Sequence, residues 1–229
     1  MSVKENIERL KEKIQKAAAG LGSQVEDITI VAVAKTVSPE KIQEAIDAGI
    51  KIIGENRVQE AKHKLAIIGN QVQWHMVGHL QTNKVKDAVR IFSMIHSLDS
   101  IKLAQEIENR AEEPIACLIE VNTSKEPSKF GVAPHELSRF FEAIQEFKKI
   151  NILGLMTIGP GWAVQDPEAS RSCFRVLYDL RDGLAGEFDR PLPILSMGMT
   201  SDFEIAIEEG ANMIRVGTAI FGTRKTTEQ

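Results

Sequence analysis

The chain has 229 residues, with 28 lysines and arginines against 32 aspartates and glutamates, for a formal charge of −4. Its 43% hydrophobic and 26% charged content is that of a globular domain and excludes a disordered chain. Mild acidity argues against a nucleic-acid backbone as main partner, and no run approaches the ~18 apolar residues that a bilayer crossing needs. The opening Met1-Ser2-Val3-Lys4-Glu5-Asn6 lacks the apolar stretch of a secretory signal, so the expected address is cytoplasmic.

Ile7, Leu10, Ile14, Ala17 and Leu21 form one apolar stripe, which predicts an opening helix within residues 1–21. Residues 28–34 are short and β-branched and read as a buried strand. Ser38-Pro39 then supplies a helix cap with proline at the first helical position; Ile42, Ala45 and Ile46 form the buried stripe, and Gly49 ends it. This unit recurs. Strands are expected at 51–53, 73–77, 91–95, 115–121, 150–156, 193–196 and 212–216. Helices are expected at about 56–68, 82–89, 100–112, 134–148, 167–185 and 201–209. Asp166-Pro167 opens the helix at 167–185; Ser201-x-x-Glu204 reads as a capping box for the last, closed by Gly210.

Alternating strands and helices imply a parallel sheet, and eight such units are the number that closes a (β/α)₈ TIM barrel. The expected architecture is one α/β barrel domain over residues 1–229 with an additional N-terminal helix. An open doubly wound sheet is the rival, weakened because Ala34-Lys35-Thr36 stands where a glycine-rich nucleotide fingerprint would be. In a barrel, chemistry gathers where strands end. That singles out Lys35, Gly54-Glu55-Asn56, Gly78-His79, His96-Ser97, Asn122, Met156, Ser196-Met197-Gly198, Arg215 and Gly217-Thr218.

Lys35 ends the most apolar strand, where desolvation would push its ammonium toward a nucleophilic, Schiff-base-forming amine; the bland alternative is a lysine that snorkels to solvent. The segments 196–202 and 213–218 follow the seventh and eighth strands, where barrels commonly bind phosphate. Glycines permit close backbone approach there, and Thr200 and Thr218 offer hydroxyls. An aldehyde at one end and a phosphate at the other would bridge the two features, and pyridoxal 5′-phosphate (PLP) has that shape. His75 reads as a packed imidazole, whereas His79 and His96 lie nearer strand ends. Asn56 suits a helix cap or a ligand contact. Lys62, Lys64, Lys84, Lys86 and Arg90 read as solvated helix faces, and Glu108, Glu112 and Glu113 as surface charge with no metal site. Cys117 and Cys173 read as inert buried thiols.

Several segments carry a family resemblance: Val33-Ala34-Lys35-Thr36, Gly54-Glu55-Asn56-Arg57-Val58-Gln59-Glu60, Trp74 through Lys84, and Lys129-Phe130-Gly131. Gly154-Leu155-Met156-Thr157-Ile158, Leu195 through Met199, and Ile214 through Gly222 continue it in the same order. The chain resembles the pyridoxal phosphate homeostasis proteins, also called proline synthase co-transcribed homologues, which share the fold-type III barrel of alanine racemase. Ala34, Arg57 and Thr200 depart mildly from that pattern, standing where Ser, Tyr and Ser are common. The resemblance implies PLP held as an aldimine on Lys35. Its phosphate would lie on Thr200, Gly217 and Thr218, Asn56 and Ser196 would line the pocket, and Arg215 would face the ring nitrogen. Related racemases carry an additional β domain, and only residues 217–229 follow the last strand. The expectation is therefore a monomeric PLP carrier in vitamin B6 homeostasis without committed turnover, with apo PLP-dependent enzymes as acceptors. Three alternatives stay open: a single-domain racemase-like enzyme, a Schiff-base aldolase without cofactor, and a partner-binding module using Ile7, Leu10 and Ile14.

Overall fold

Short β-branched segments alternate with amphipathic helices, and in the computed structural model, which describes residues 2–20 and 24–223, they close a parallel barrel. Its strands are β1 (Thr29–Val33), β2 (Ile52–Glu55), β3 (Gln73–Met76), β4 (Met94–Leu98), β5 (Ile115–Glu120), β6 (Ile150–Met156), β7 (Ile194–Ser196) and β8 (Met213–Val216). They follow one another around the ring in chain order, and β8 pairs with β1 through Thr29–Met213 to Ala32–Val216. The crossovers are α2 (Pro39–Asp47), α3 (Val58–Ile68), α4 (Val85–Ile91), α5 (Ile101–Arg110), α6 (Leu137–Ile144), α7 (Arg171–Glu187) and α8 (Phe203–Glu208).

Among the described residues a single turn, α9 (Thr218–Phe221), follows β8. The opening helix α1 (Val3–Ala19) supplies the missing outer layer by packing against α9, α8 and α2. Ser2 and Glu5 close a reciprocal capping box at its start, and Asn6 Nδ2 donates to Ile220 O at 2.9 Å. Its buried stripe is Val3, Ile7, Leu10, Ile14 and Ala18; Ala18 takes the place expected for Ala17, and Leu21 lies outside the described residues. Because Ile7, Leu10 and Ile14 are core, they offer no docking face to a partner.

Other boundaries also move. The strand expected at 91–95 begins at Met94, because α4 runs on through Ile91 and Phe92 donates its N–H to Ala88 O while burying its ring. The expected Ser201 capping box does not form. Asp202 is the cap residue, and its carboxylate folds back to accept the Met199 N–H and the Ser170 hydroxyl, both at 2.7 Å. The helices expected from 82, 134 and 167 open as tight 3₁₀ turns at Thr82–Lys84, Pro134–Glu136 and Pro167–Ser170.

Two apolar cores result. The larger lies between sheet and helices; the smaller fills the barrel lumen with Val31, Met94, Leu118, Met156 and Met213. Both cysteines are buried, and burial pushes the Cys117 thiol up to about 12. Among the described residues, no helix is long and apolar enough to cross a membrane.

Candidate functional site

Side-chain alternation along β1 decides where Lys35 goes. Val31 and Val33 belong to the lumen, Ala32 and Ala34 to the outer core, so the next residue returns to the lumen side at the strand's end. There a cavity of about 460 Å³ opens, of a size that suits small-molecule binding. Lys35, Asn56, Thr200, Arg215, Gly217 and Thr218 all line it, with apolar wall from Val33, Val77 and Ile158 and, among the described residues, no Asp or Glu on its surface. Lys35 is half-buried, less enclosed than its apolar strand suggested. Ser196 is not on the wall: it is fully buried behind Arg215.

The two C-terminal loops are stitched together from both sides. Gly198 O accepts from Arg215 N at 3.0 Å, and Thr200 Oγ1 accepts from Ala219 N at 3.3 Å. Asp202 holds the turn between them through Met199. The hydroxyl protons of Thr200, Ser201 and Thr218 have no protein acceptor among the described residues and are free to donate to solvent or to a ligand. On the opposite rim, a Cβ at Gly78 would lie 2.8 Å from Asn56 O, so the glycine lets the Asn56 turn close over the strand end.

Beneath the cavity runs a chain of buried polar groups. Arg215, 4% exposed, donates from Nη1 to Ser196 Oγ and from Nη2 to Thr157 O, both at 2.7 Å. Burial lowers its guanidinium to about 10, opposed by the nearby charges of Glu120 and Asp202, so it remains a cation at neutral pH. Ser196 Oγ lies 3.2 Å from His96 Nδ1, and His96 Nε2 lies 3.0 Å from His75 Nδ1. Burial lowers His75 to about 4, and burial together with the neighbouring His75 ring and the Arg215 cation holds His96 well below its usual range. Both rings are therefore neutral. Arginine can only donate, so we assign the Ser196 proton to His96 Nδ1 and the His96 proton to Nε2, aimed at His75. Parity could have linked the two histidines in the sequence, since each alternates with lumen residues: His75 with Val77, His96 with Met94.

Glu120 was not singled out in the sequence. It ends β5 in register with the lumen residue Leu118, is 6% exposed, and makes no side-chain hydrogen bond or ion pair among the described residues. Burial and the neighbouring Asp99 raise its carboxyl to about 7 against the pull of Arg215. Lys64 also departs from expectation: it is buried, not solvated, and its ammonium is held by Ala34 O, Glu55 and Glu60. The signal was present, because Lys64 falls on the apolar stripe of Val58, Ala61 and Ile68. His79 does not line the Lys35 cavity; it pairs with Asp99 at 3.0 Å and stacks on Phe130 with centroids 3.7 Å apart.

A closed parallel barrel with a lysine ending β1 and hydroxyl-bearing loops after β7 and β8 is a specific arrangement, and comparison with known proteins agrees. The alanine racemase N-terminal domain family matches residues 2–225. An alanine racemase from Clostridium difficile 630 shares the fold at 16% identity and a TM-score of 0.77, over 99% of this chain and 58% of the racemase. The fold and site thus define a barrel of the alanine racemase N-terminal class. A pyridoxal phosphate homeostasis protein of Aquifex aeolicus is 44% identical over 229 residues, covering 98% of this chain and 100% of that one. PipY of Synechococcus elongatus, solved with PLP bound, is 33% identical with a TM-score of 0.80, over 91% of this chain and 100% of that one. The chain belongs to the family of pyridoxal phosphate homeostasis proteins.

Proposed function

We propose that this chain binds PLP at the mouth of its barrel and acts in PLP homeostasis, holding the cofactor on Lys35 and delivering it. One observation carries the reading: a primary amine and the two loops suited to phosphate line one cavity in which no described residue presents a carboxylate to repel an anion. Its volume, cationic and hydroxyl groups and apolar walls fit a planar phosphorylated aldehyde. When bound, PLP supplies an aldehyde that joins covalently to a primary amine and a phosphate that takes hydrogen bonds. Lys35 supplies the amine. Thr200, Thr218 and the backbone at Gly217 hold the phosphate, and Asn56 flanks the pocket on the β2 side. Arg215 sits beside the ring nitrogen on this reading; lowered only to about 10, it keeps its proton at neutral pH and gives none to the ring. Ser196 acts from behind by fixing the guanidinium.

The half-buried Lys35 leaves the cofactor open to an acceptor at the mouth of the barrel. Apo PLP-dependent enzymes are the proposed acceptors. Trp162 and Val164, 57% and 72% exposed, lie on the loop whose Val164 forms part of the cavity rim, where an acceptor would approach. We place the chain in the cytoplasm as a monomer, with residues 1–229 acting as one binding unit.

Replacing Lys35 with alanine tests the anchor. The wild-type protein incubated with PLP should retain a yellow chromophore through dialysis, and borohydride should fix the label on Lys35. The variant should stay folded and lose both. Retention of the chromophore by Lys35→Ala would refute the assignment. A racemase-like reading keeps one observation in its favour, the lumen carboxyl of Glu120 near neutrality. Exchange of an amino acid's α-proton in deuterated water at a useful rate would support that reading over the carrier.

A further inference from the structure

Lys64 lies behind the turn that carries Lys35, on the helix side of the sheet. Its ammonium reaches Ala34 O, Glu55 Oε1 and Glu60 Oε1, each at 2.7 Å. Glu60 Oε1 also accepts the N–H of Thr36. The carbonyl before Lys35 and the amide after it are therefore gripped by one three-residue cluster. The turn needs gripping: Thr36 is β-branched yet sits at φ +63°, a conformation that persists only where its surroundings enforce it. Further bonds from Ala34 N to Gly54 O and from Val37 N to Ala34 O, both at 2.9 Å, complete the frame.

Filling space does not account for the cluster. Apolar side chains of similar volume often serve a buried site as well as an ion pair does. This pair also leaves Glu55 Oε2 buried without a partner among the described residues. What an apolar replacement cannot supply is the set of directed bonds to residues 34 and 36. We propose that Lys64, held between Glu55 and Glu60, is a positioning residue that braces the Lys35 turn and aims its amine into the cavity for PLP. The role rests on the reading of Lys35 as the anchor. Lys64 touches no ligand; it acts through the backbone on either side of Lys35.

The test compares variants in the full chain by two readouts: dissociation of PLP, and hydrogen exchange of the Thr36 amide in protein free of PLP. Glu60→Ala removes the acceptor of that amide at a site that is 24% exposed, so the fold should survive. It should raise Thr36 exchange about tenfold and weaken PLP binding about tenfold, since small misplacements of a reacting group are costly. Glu60→Gln retains an acceptor oxygen and should restore both. Lys64→Met combined with Glu55→Gln removes both buried charges together, which avoids stranding a carboxylate, and should weaken PLP to a similar degree. Lys62→Met, on the same helix but paired outward with Asp87, should change nothing. If Glu60→Ala and the double variant bind PLP within twofold of wild type while borohydride still labels Lys35, the brace is refuted and the anchor stands. A wild-type label on any other lysine would overturn the anchor, and this role with it.

Discussion

Replacing Gly198 with alanine probes how backbone geometry builds the proposed phosphate site. Gly198 sits at φ +88°, where an L side chain costs about 1–2 kcal/mol. The added methyl would lie 2.5 Å from Ala206 Cβ and 2.9 Å from Phe203 Cα, inside contact distance of α8. Overpacking of this kind costs about 1–3 kcal/mol, so the total destabilisation should be about 2–5 kcal/mol. The strain can relax only by moving the loop off α8. That movement pulls at the bond from Arg215 N to Gly198 O and displaces Met199 and Thr200 from the cavity wall. If about 1.4 kcal/mol of the strain is relieved in that way and must be restored on binding, PLP affinity falls about tenfold. Denaturant unfolding at constant slope gives the first quantity, and titration followed by PLP absorbance gives the second. Gly183→Ala in α7 is the control: nothing lies within 4 Å of its added methyl, so stability should rise by about 0.5–1 kcal/mol with binding unchanged. Unfolding of Gly198→Ala at the wild-type midpoint, with unchanged PLP affinity, would refute the claim that this glycine shapes the proposed site.

Glu120→Gln should flatten part of the pH dependence of stability. The native state keeps the Glu120 proton up to about 7, whereas an ordinary glutamate releases it near 4.5, so the native state binds more protons between these values. Wild-type stability should therefore fall from pH 4.5 to 7 by up to about 3 kcal/mol on this account, and the variant should lack that loss when unfolding midpoints are compared at pH 5 and pH 8. Ile14→Ala should cost about 2–5 kcal/mol in the same unfolding assay because Ile14 is fully buried between α1 and the barrel. Lys13→Ala beside it, losing a half-exposed pair with Glu204 and a long contact with the Phe203 ring, should cost less than about 1 kcal/mol.

Much of the molecule was legible in the sequence. Periodicity marks which face of a segment is apolar, and that is enough to order eight strand–helix units and to put Lys35, Asn56, Arg215, Gly217 and Thr218 at strand ends on one side of a barrel. The family resemblance added the expectations that Asn56 and Ser196 line the pocket and that Arg215 faces the ring nitrogen. Periodicity failed where a polar residue occupies an apolar position. Lys64 looked like one more surface lysine, although its spacing from Ala61 and Ile68 placed it inward. Local patterns failed where a side chain had a better distant partner. Asp202 turned back to Ser170, and the Ser201 box never formed.

The chain by itself determined the alternation of strands and helices, the parity that turns Lys35 inward, and the hydroxyl loops of the last quarter, because each is a property of residues close together in sequence. Only the closed barrel decided that Ser196 stands behind Arg215 instead of on the cavity wall, that His96 joins it across 100 positions, and that Lys64 grips a turn 30 residues earlier. Hydrogen-bond partners are selected by distance and direction in space, and spacing along a chain carries neither once the partners sit on different strands.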